Sequence, residues 1–195
     1  MTIKEIKQVF TQNKGFITAD DLDMTANRYL LEKMLANNEI SNLKKGVYVL
    51  NNYEVYDQRV LIAKMYPKAI FCLFSAWQYH ELTTSLPIKH NIALNRNTKI
   101  VAIDYPPMDV HYWQQEIYQL GIENIVIDHE KIKIYDIEKS VCDAIKHRGK
   151  IGEDITIEVV KNYINHKAKN LNKLMVYAKQ LRIQKLTEQY IKPLL

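Results

Sequence analysis

The chain has 195 residues, of which 47% are hydrophobic and 25% charged, with a formal net charge of +5 at pH 7. That length accommodates a substantial core and two domains, and the composition excludes a long disordered or low-complexity protein. No apolar run approaches the roughly 20 residues of a membrane span, and Met1-Thr2-Ile3-Lys4-Glu5-Ile6 lacks the apolar stretch of a secretion signal, so the expectation is a cytoplasmic protein with no membrane partner.

In chain order, Ile3, Ile6, Val9 and Phe10 recur at helical spacing and give a first helix its buried stripe, and Gly15-Phe16-Ile17 reads as a short extended link. Thr18-Ala19-Asp20-Asp21-Leu22 opens with a capping threonine followed by acids that suit a helix N-terminus, which predicts a second helix there. Thr25 is the expected N-cap of a third helix reaching Asn38. Leu30, Leu31, Met34 and Leu35 form its buried face, and Asn27, Arg28 and Lys33 fall outside it. Glu39 to Leu50 then reads as two strands joined by Lys44-Lys45-Gly46. The glycine supplies positive φ, and the lysines place two positive charges at the tip, where a phosphate backbone suits them better than any core. Helix, strand, helix, helix and basic-tipped hairpin is the order of a winged helix-turn-helix, assigned to residues 1–52.

Asn51-Asn52-Tyr53 is the expected linker into a second domain, residues 53–195. Glu54 to Tyr66 reads as a helix with Val55, Val60, Leu61 and Ala63 inward, stopped by Pro67. Ala69 to Phe74 is an apolar strand, and Ser75 is the expected cap of a helix through Leu82. The period then shortens towards two over Ile88–Leu94, Lys99–Ile103, Val110–Trp113, Ile125–Ile127 and Ile132–Tyr135, which implies one mixed or antiparallel sheet. Asp136 caps a helix through His147 with Ile137, Val141, Ala144 and Ile145 buried; Gly149 to Gly152 interrupts it. Three helical segments follow, Ile155–Asn165, Leu171–Leu181 and Lys185–Leu195. The fold class is α+β, with a winged helix-turn-helix leading a larger α+β domain with a helical tail.

Charge is uneven. Residues 1–50 sum to +1, residues 51–140 to −2 and residues 141–195 to +6. In a polyanion-binding protein, base reading then falls to Thr25, Asn27, Arg28 and Tyr29 near the start of the third helix, with Lys33 beside them and Lys44 and Lys45 on phosphates or the minor groove. Sequence-independent attraction falls to the C-terminal block. There Lys146, Arg148 and Lys150 cluster where a helix gives way to a glycine-bounded loop, and Lys161, Lys167, Lys169 and Lys173 line the next helix and its turn.

No catalytic constellation stands out. Five glycines leave no phosphate-cradling loop, and the six histidines lack the spacing of a zinc site, so neither an enzyme nor a cofactor or metal is expected. His80 reads as a satisfied histidine, and Asp143 as the surface partner of Lys139 or His147 one turn away. Cys72 and Cys142 read as reduced core thiols. Two rival classes remain in view: a protein-binding adaptor drawing on the 13 tyrosines, and a metal-dependent nuclease built on Asp128, Glu130 and Lys133.

Three motifs carry a family resemblance over nearly the whole chain. Lys44-Lys45-Gly46-Val47-Tyr48 looks like a "basic, Gly, Val/Ile, Tyr" wing, Ser75-Ala76-Trp77-Gln78-Tyr79-His80-Glu81-Leu82 looks like a Ser-Ala helix with a following His-x-Leu, and Asp136 to Asp143 sits where the family has a Glu-Arg-Thr-Leu-x-Asp-like helix start. The chain resembles the AbiEi-type antitoxins of bacterial type IV toxin-antitoxin systems. Lys139 and Ser140 stand in place of the family's Arg and Thr, a point charge in place of a planar fork. The resemblance implies a repressor that binds inverted repeats in its own double-stranded promoter DNA. It also implies an antitoxin that counteracts a nucleotidyltransferase-like toxin without a stable complex.

Overall fold

In the computed structural model, which describes residues 1–52, 57–100 and 103–195, the chain is α+β and divides into two units. Met1–Pro67 with Lys99–Pro106 forms unit 1, and Lys68–Thr98 with Pro107–Leu195 forms unit 2. No helix among the described residues is long and apolar enough to cross a membrane.

Unit 1 starts with α1 (Ile3–Gln12), held by a capping box: the Thr2 hydroxyl accepts from the Glu5 N–H, and the Thr2 N–H donates to the Glu5 carboxylate at 2.7 Å. Ile6 and Phe10 are its buried stripe. Gly15, at φ +87°, lets the chain double back on the helix, its N–H reaching the Phe10 carbonyl at 2.7 Å, and β1 (Phe16–Thr18) follows. After α2 (Arg28–Ala36) come β2 (Ile40–Lys44) and β3 (Val47–Leu50), joined by the Lys45–Gly46 turn with Gly46 at φ +77°. The sheet is antiparallel in the order β1-β3-β2, and α3 (Gln58–Met65) begins on Asp57, which accepts from the Arg59 N–H. Ile6, Phe10, Ile17, Leu22, Leu31, Met34 and Ile40 form the core.

Three expectations in this unit are corrected. Residues 19–27 form consecutive turns rather than a helix. Asp21 accepts from both the N–H and the hydroxyl of Thr18 at 2.8 Å, and Asp23 accepts from the N–H groups of Thr25 and Ala26 at 3.0 Å. These short side chains satisfy the backbone in non-helical conformations, the competition that keeps Asp and Thr out of helix interiors. Thr25 therefore caps nothing; Asn27 occupies the cap position of α2, and its side chain makes no capping bond. The helix expected from Glu54 starts at Gln58, and Tyr53, Glu54, Val55 and Tyr56 lie outside the described residues.

In unit 2, β4 (Ile70–Phe71) leads directly into α4 (Leu73–Tyr79), followed by β5 (His90–Asn95), β6 (Met108–Trp113), the short α5 (Gln115–Gln119), β7 (Ile122–Ile127) and β8 (Glu130–Tyr135). The sheet runs β6-β5-β4-β8-β7 and is mixed: β5–β6 and β4–β8 are parallel, β4–β5 and β7–β8 antiparallel. Four helices complete it: α6 (Ile137–Ile151), α7 (Glu153–Asn165), α8 (Leu171–Gln180) and α9 (Gln184–Ile191), with a closing 3-10 turn at Lys192–Leu194. The expected strand Ala69–Phe74 is cut to two residues because helix begins at Leu73. Ser75 caps no helix; its hydroxyl accepts from the Asn91 N–H of β5 at 2.8 Å. Lys99, Ile100 and Ile103 are not in a strand, and Val101 and Ala102 lie outside the described residues.

The Asp136 cap is as expected, accepting from the Lys139 N–H at 2.8 Å, but α6 runs on past Gly149 to Ile151. Asp143 pairs with Lys139, and the setting is the opposite of a helix surface. The Lys139 ammonium lies 2.6 and 2.7 Å from the two Asp143 oxygens with both residues at 0–1% exposure, and it sits 4.2 Å from the Trp113 ring and 4.3 Å from the Tyr135 ring. Gly121, at φ +72°, lets the backbone pass so close that an added Cβ falls 2.6 Å from the Lys139 Cβ.

A buried ion pair is more sensitive to the loss of one partner than of both. Lys139→Met and Asp143→Leu should each cost about 3–5 kcal/mol in denaturant unfolding, and the double variant clearly less than their sum. Additive losses would show that the two charges are not coupled.

Candidate nucleic-acid interface

In unit 1 the turns of residues 19–27 deliver the chain to the start of α2 with Thr25 and Ala26 exposed. Arg28 and Tyr29 project from the first turn, Tyr29 at 75% exposure, and Lys33 is exposed one turn further on. No side chain caps α2 and the Arg28 N–H is held by the Thr25 carbonyl at 3.4 Å, so the N–H groups of Tyr29 and Leu30 and the positive end of the helix dipole are what stays open to an anion. Arg28 makes an exposed pair with Glu32 at 2.8 Å, one turn along. Such a pair contributes little and exchanges readily for a better partner. Asn27 is placed differently: at 5% exposure, its side-chain amide donates to the Asp23 carbonyl at 2.9 Å and holds the turn.

The hairpin separates the two lysines. Lys45 stands exposed in the turn. Lys44 is turned inward, contrary to the expectation of a doubly charged tip: a register shift between Asn42 and Lys44 breaks the strand alternation, and the ammonium donates to the Met65 carbonyl at 2.5 Å and lies 4.1 Å over the Tyr66 ring. Burial lowers its pKa.

In unit 2 the basic residues do not form one block. Lys146, Arg148 and Lys150 lie in the last turns of α6, the latter two beyond His147, where the helix was expected to stop. Lys167 and Lys169 lie in the turn between α7 and α8, whose Asn170 N–H bonds to Glu138 at the opposite end of α6, and Lys161 is exposed on α7. From Glu138 to Arg148 a helix rises about 15 Å, so these are two patches. Lys173 is withdrawn from both, at 3.1 Å from Asp136 and from Glu138; burial works against its charge, but Glu138 and Asp136 outweigh it and hold the pKa up.

Two residues that the sequence did not single out stand at the α6 patch. His147 stacks on Trp113 with ring centroids 6.2 Å apart, and His111 of β6 places Nε2 3.0 Å from the Asn91 side-chain oxygen. Burial first, then Lys139, Lys146, His111 and Lys150, pushes the His147 pKa down to about 4, and burial lowers that of His111. The neighbouring lysines are visible in the sequence, but the burial of His147 against Trp113, the larger cause, is made across a long sequence interval and leaves no local signature. His80 is satisfied as expected, its Nε2–H donating to the Tyr135 carbonyl at 2.7 Å. Of the nuclease trio, Asp128 lies in the β7–β8 turn, and Glu130 and Lys133, three apart in β8, point to opposite faces of the strand. Among the described residues no group of three His, Cys, Asp or Glu is placed to hold a metal.

Comparison with protein-family models and with curated proteins finds no match for this chain.

The depressed His147 pKa fixes a sign. Between its unfolded value near 6.5 and about 4, the unfolded chain binds the proton and the folded chain does not, so His147 removes stability as pH falls through that window. Asp143, whose pKa burial raises against the pull of Lys139, acts in the opposite sense at the acid end, so the test is a difference. Thermal unfolding of His147→Gln should fall less steeply from about pH 6.5 to 4 than that of the parent. Parallel pH profiles would contradict the assignment.

Proposed function

We propose that this protein is a sequence-specific DNA-binding repressor whose unit 1 works as a winged helix, α2 entering the major groove and the β2–β3 hairpin acting as the wing. In keeping with its resemblance to the AbiEi-type antitoxins, we propose further that it represses its own promoter through inverted repeats. In the same reading it opposes a nucleotidyltransferase-like toxin without a lasting complex. The observation that carries the DNA reading is the exposed, uncapped start of α2 bearing Arg28 and Tyr29, in one unit with a hairpin whose turn exposes Lys45. A helix N-terminus that presents an arginine and an aromatic ring without a side-chain cap is suited to a base edge and its neighbouring phosphates. The turns of residues 19–27 stand where a helix-turn-helix has its first helix, and Asp23, through Thr25 and Ala26, anchors the entry to α2 in its stead.

Arg28 is the base reader in this account, Lys33 and Lys45 are phosphate contacts, and Asn27 and Lys44 are supports. The two patches of unit 2, Lys146–Arg148–Lys150 and Lys161–Lys167–Lys169, supply attraction without sequence preference.

The test is a gel shift on DNA immediately upstream of the gene. Arg28→Ala should cost about 1–3 kcal/mol on that DNA and relax its preference at one position. Lys45→Ala should lower the slope of log affinity against log salt by about 0.9, the release of one counterion, while Lys44→Ala leaves the slope unchanged. Equal binding to upstream and unrelated DNA would reject the repressor in favour of an adaptor. Rescue of growth on co-expression with the toxin, lost without any change in operator affinity in variants confined to unit 2, would separate the antitoxin role from repression.

A further inference from the structure

The end of α6 borders an open cleft of about 280 Å³ whose lining is Lys146, His147, Arg148, Gly149 and Lys150. No carboxylate lines it. Asp143, one turn below, is committed to Lys139 at 2.6 and 2.7 Å. Glu153, at the start of α7, accepts from the Tyr190 hydroxyl. Cations are ordinary in the last turn of a helix, where they answer its negative end. One is used in that way, since Arg148 Nη1 donates to the Ile145 carbonyl at 3.2 Å. Lys146 and Lys150 form no ion pair among the described residues. The charged groups facing the two imidazoles are Lys139, Asp143, Lys146 and Lys150 from α6 and Asp109 from β6, which pairs with Lys89 at 3.4 Å. Asp143 and Asp109 are each paired with a lysine, and Glu153, which keeps its charge on the Tyr190 hydroxyl, does not line the cleft, so the lining itself is positive.

We propose that this cleft binds a phosphate monoester as its dianion, such as the terminal phosphate of a nucleoside monophosphate. The inference shares Lys146, Arg148 and Lys150 with the DNA reading but goes beyond it and does not need the chain to be a repressor. Lys146 and Lys150, four apart on one face of α6, bring two cations to the recess and Arg148 completes its basic lining, a balance that exceeds the single charge of a backbone diester and matches the two charges and three acceptor oxygens of a monoester. A recess formed by five consecutive residues holds a point ligand, whereas a backbone is tracked by a groove. Arg148 offers a planar fork and Lys146 and Lys150 offer mobile ammonium donors. His147 supplies the reporter: a dianion beside the ring replaces the repulsion of the lysines with attraction, and the imidazole gains affinity for its proton.

The experiment follows imidazole resonances of the full chain by NMR across pH, with the His147 signal identified by its loss in His147→Gln. Saturating AMP, and inorganic phosphate at higher concentration, should raise the His147 pKa from about 4 by about one to two units. Lys150→Gln at an exposed position and Lys146→Gln at a half-buried one, neither in the apolar core, should each weaken AMP binding by about tenfold. If AMP and phosphate leave His147 unmoved while a duplex of unrelated sequence shifts it, the cleft is a DNA-backbone contact and the proposal fails. If nothing shifts it, or if AMP binds with the same affinity to both lysine variants, the turn is merely a solvated helix end.

Discussion

A lysine ammonium enclosed by a carboxylate and two aromatic rings is the constraint on which unit 2 depends. Lys139 reaches Asp143 within its own helix, but its charge is tolerable only because Trp113 from β6 and Tyr135 from β8 close over it. Taking both ions from water carries a penalty that the pair repays only with close geometry and no missing partner. The sheet, α6 and the Gly121 approach therefore stand or fall together. The same helix carries the tail, because Asp136 and Glu138 at its start hold Lys173 of α8, Tyr177 donates to Asp136, and Tyr163 of α7 donates to Glu138.

That arrangement sets the electrostatics of the far end of α6. With Asp143 neutralised internally, nothing acidic on the helix offsets Lys146, Arg148 and Lys150, and His147 stays neutral on its Trp113 support. Unit 1 uses charge differently. Its basic residues are nearly balanced by acids, and local geometry decides which face solvent: a strand irregularity takes Lys44 inward, and a missing side-chain cap leaves the start of α2 open.

Residues with strong periodic or capping signals were legible in the sequence. The Asp136 cap, the buried stripe of α1 and the alternation along β8 all follow from rules acting over a few residues, whereas α6 is buried all round from Ile137 to Ile145 and β5 is buried on both faces. What failed did so for tertiary or competing local reasons. Lys139 and Asp143, four apart on a helix, have the same sequence signature on a surface as in a core. Thr18 and Asp21 fit a helix start as well as a turn closed by their own side chains, and the structure contains the turn. The C-terminal charge excess was countable, but its division into two patches at opposite ends of α6 depends on how α7 folds back. In the candidate interface, Arg28, Tyr29 and Lys45 were readable as exposed, whereas Asn27 and Lys44 had to be seen in place.

The central claim is that DNA is read at the start of α2 and supported by Lys45. Shift mapping of backbone and side-chain NMR signals during titration with the upstream duplex tests it most directly. The account predicts the largest changes at Thr25, Arg28, Tyr29, Lys33 and Lys45, with Lys139 and its aromatic enclosure unmoved. Changes confined to unit 2, with α2 and the hairpin silent, would contradict it.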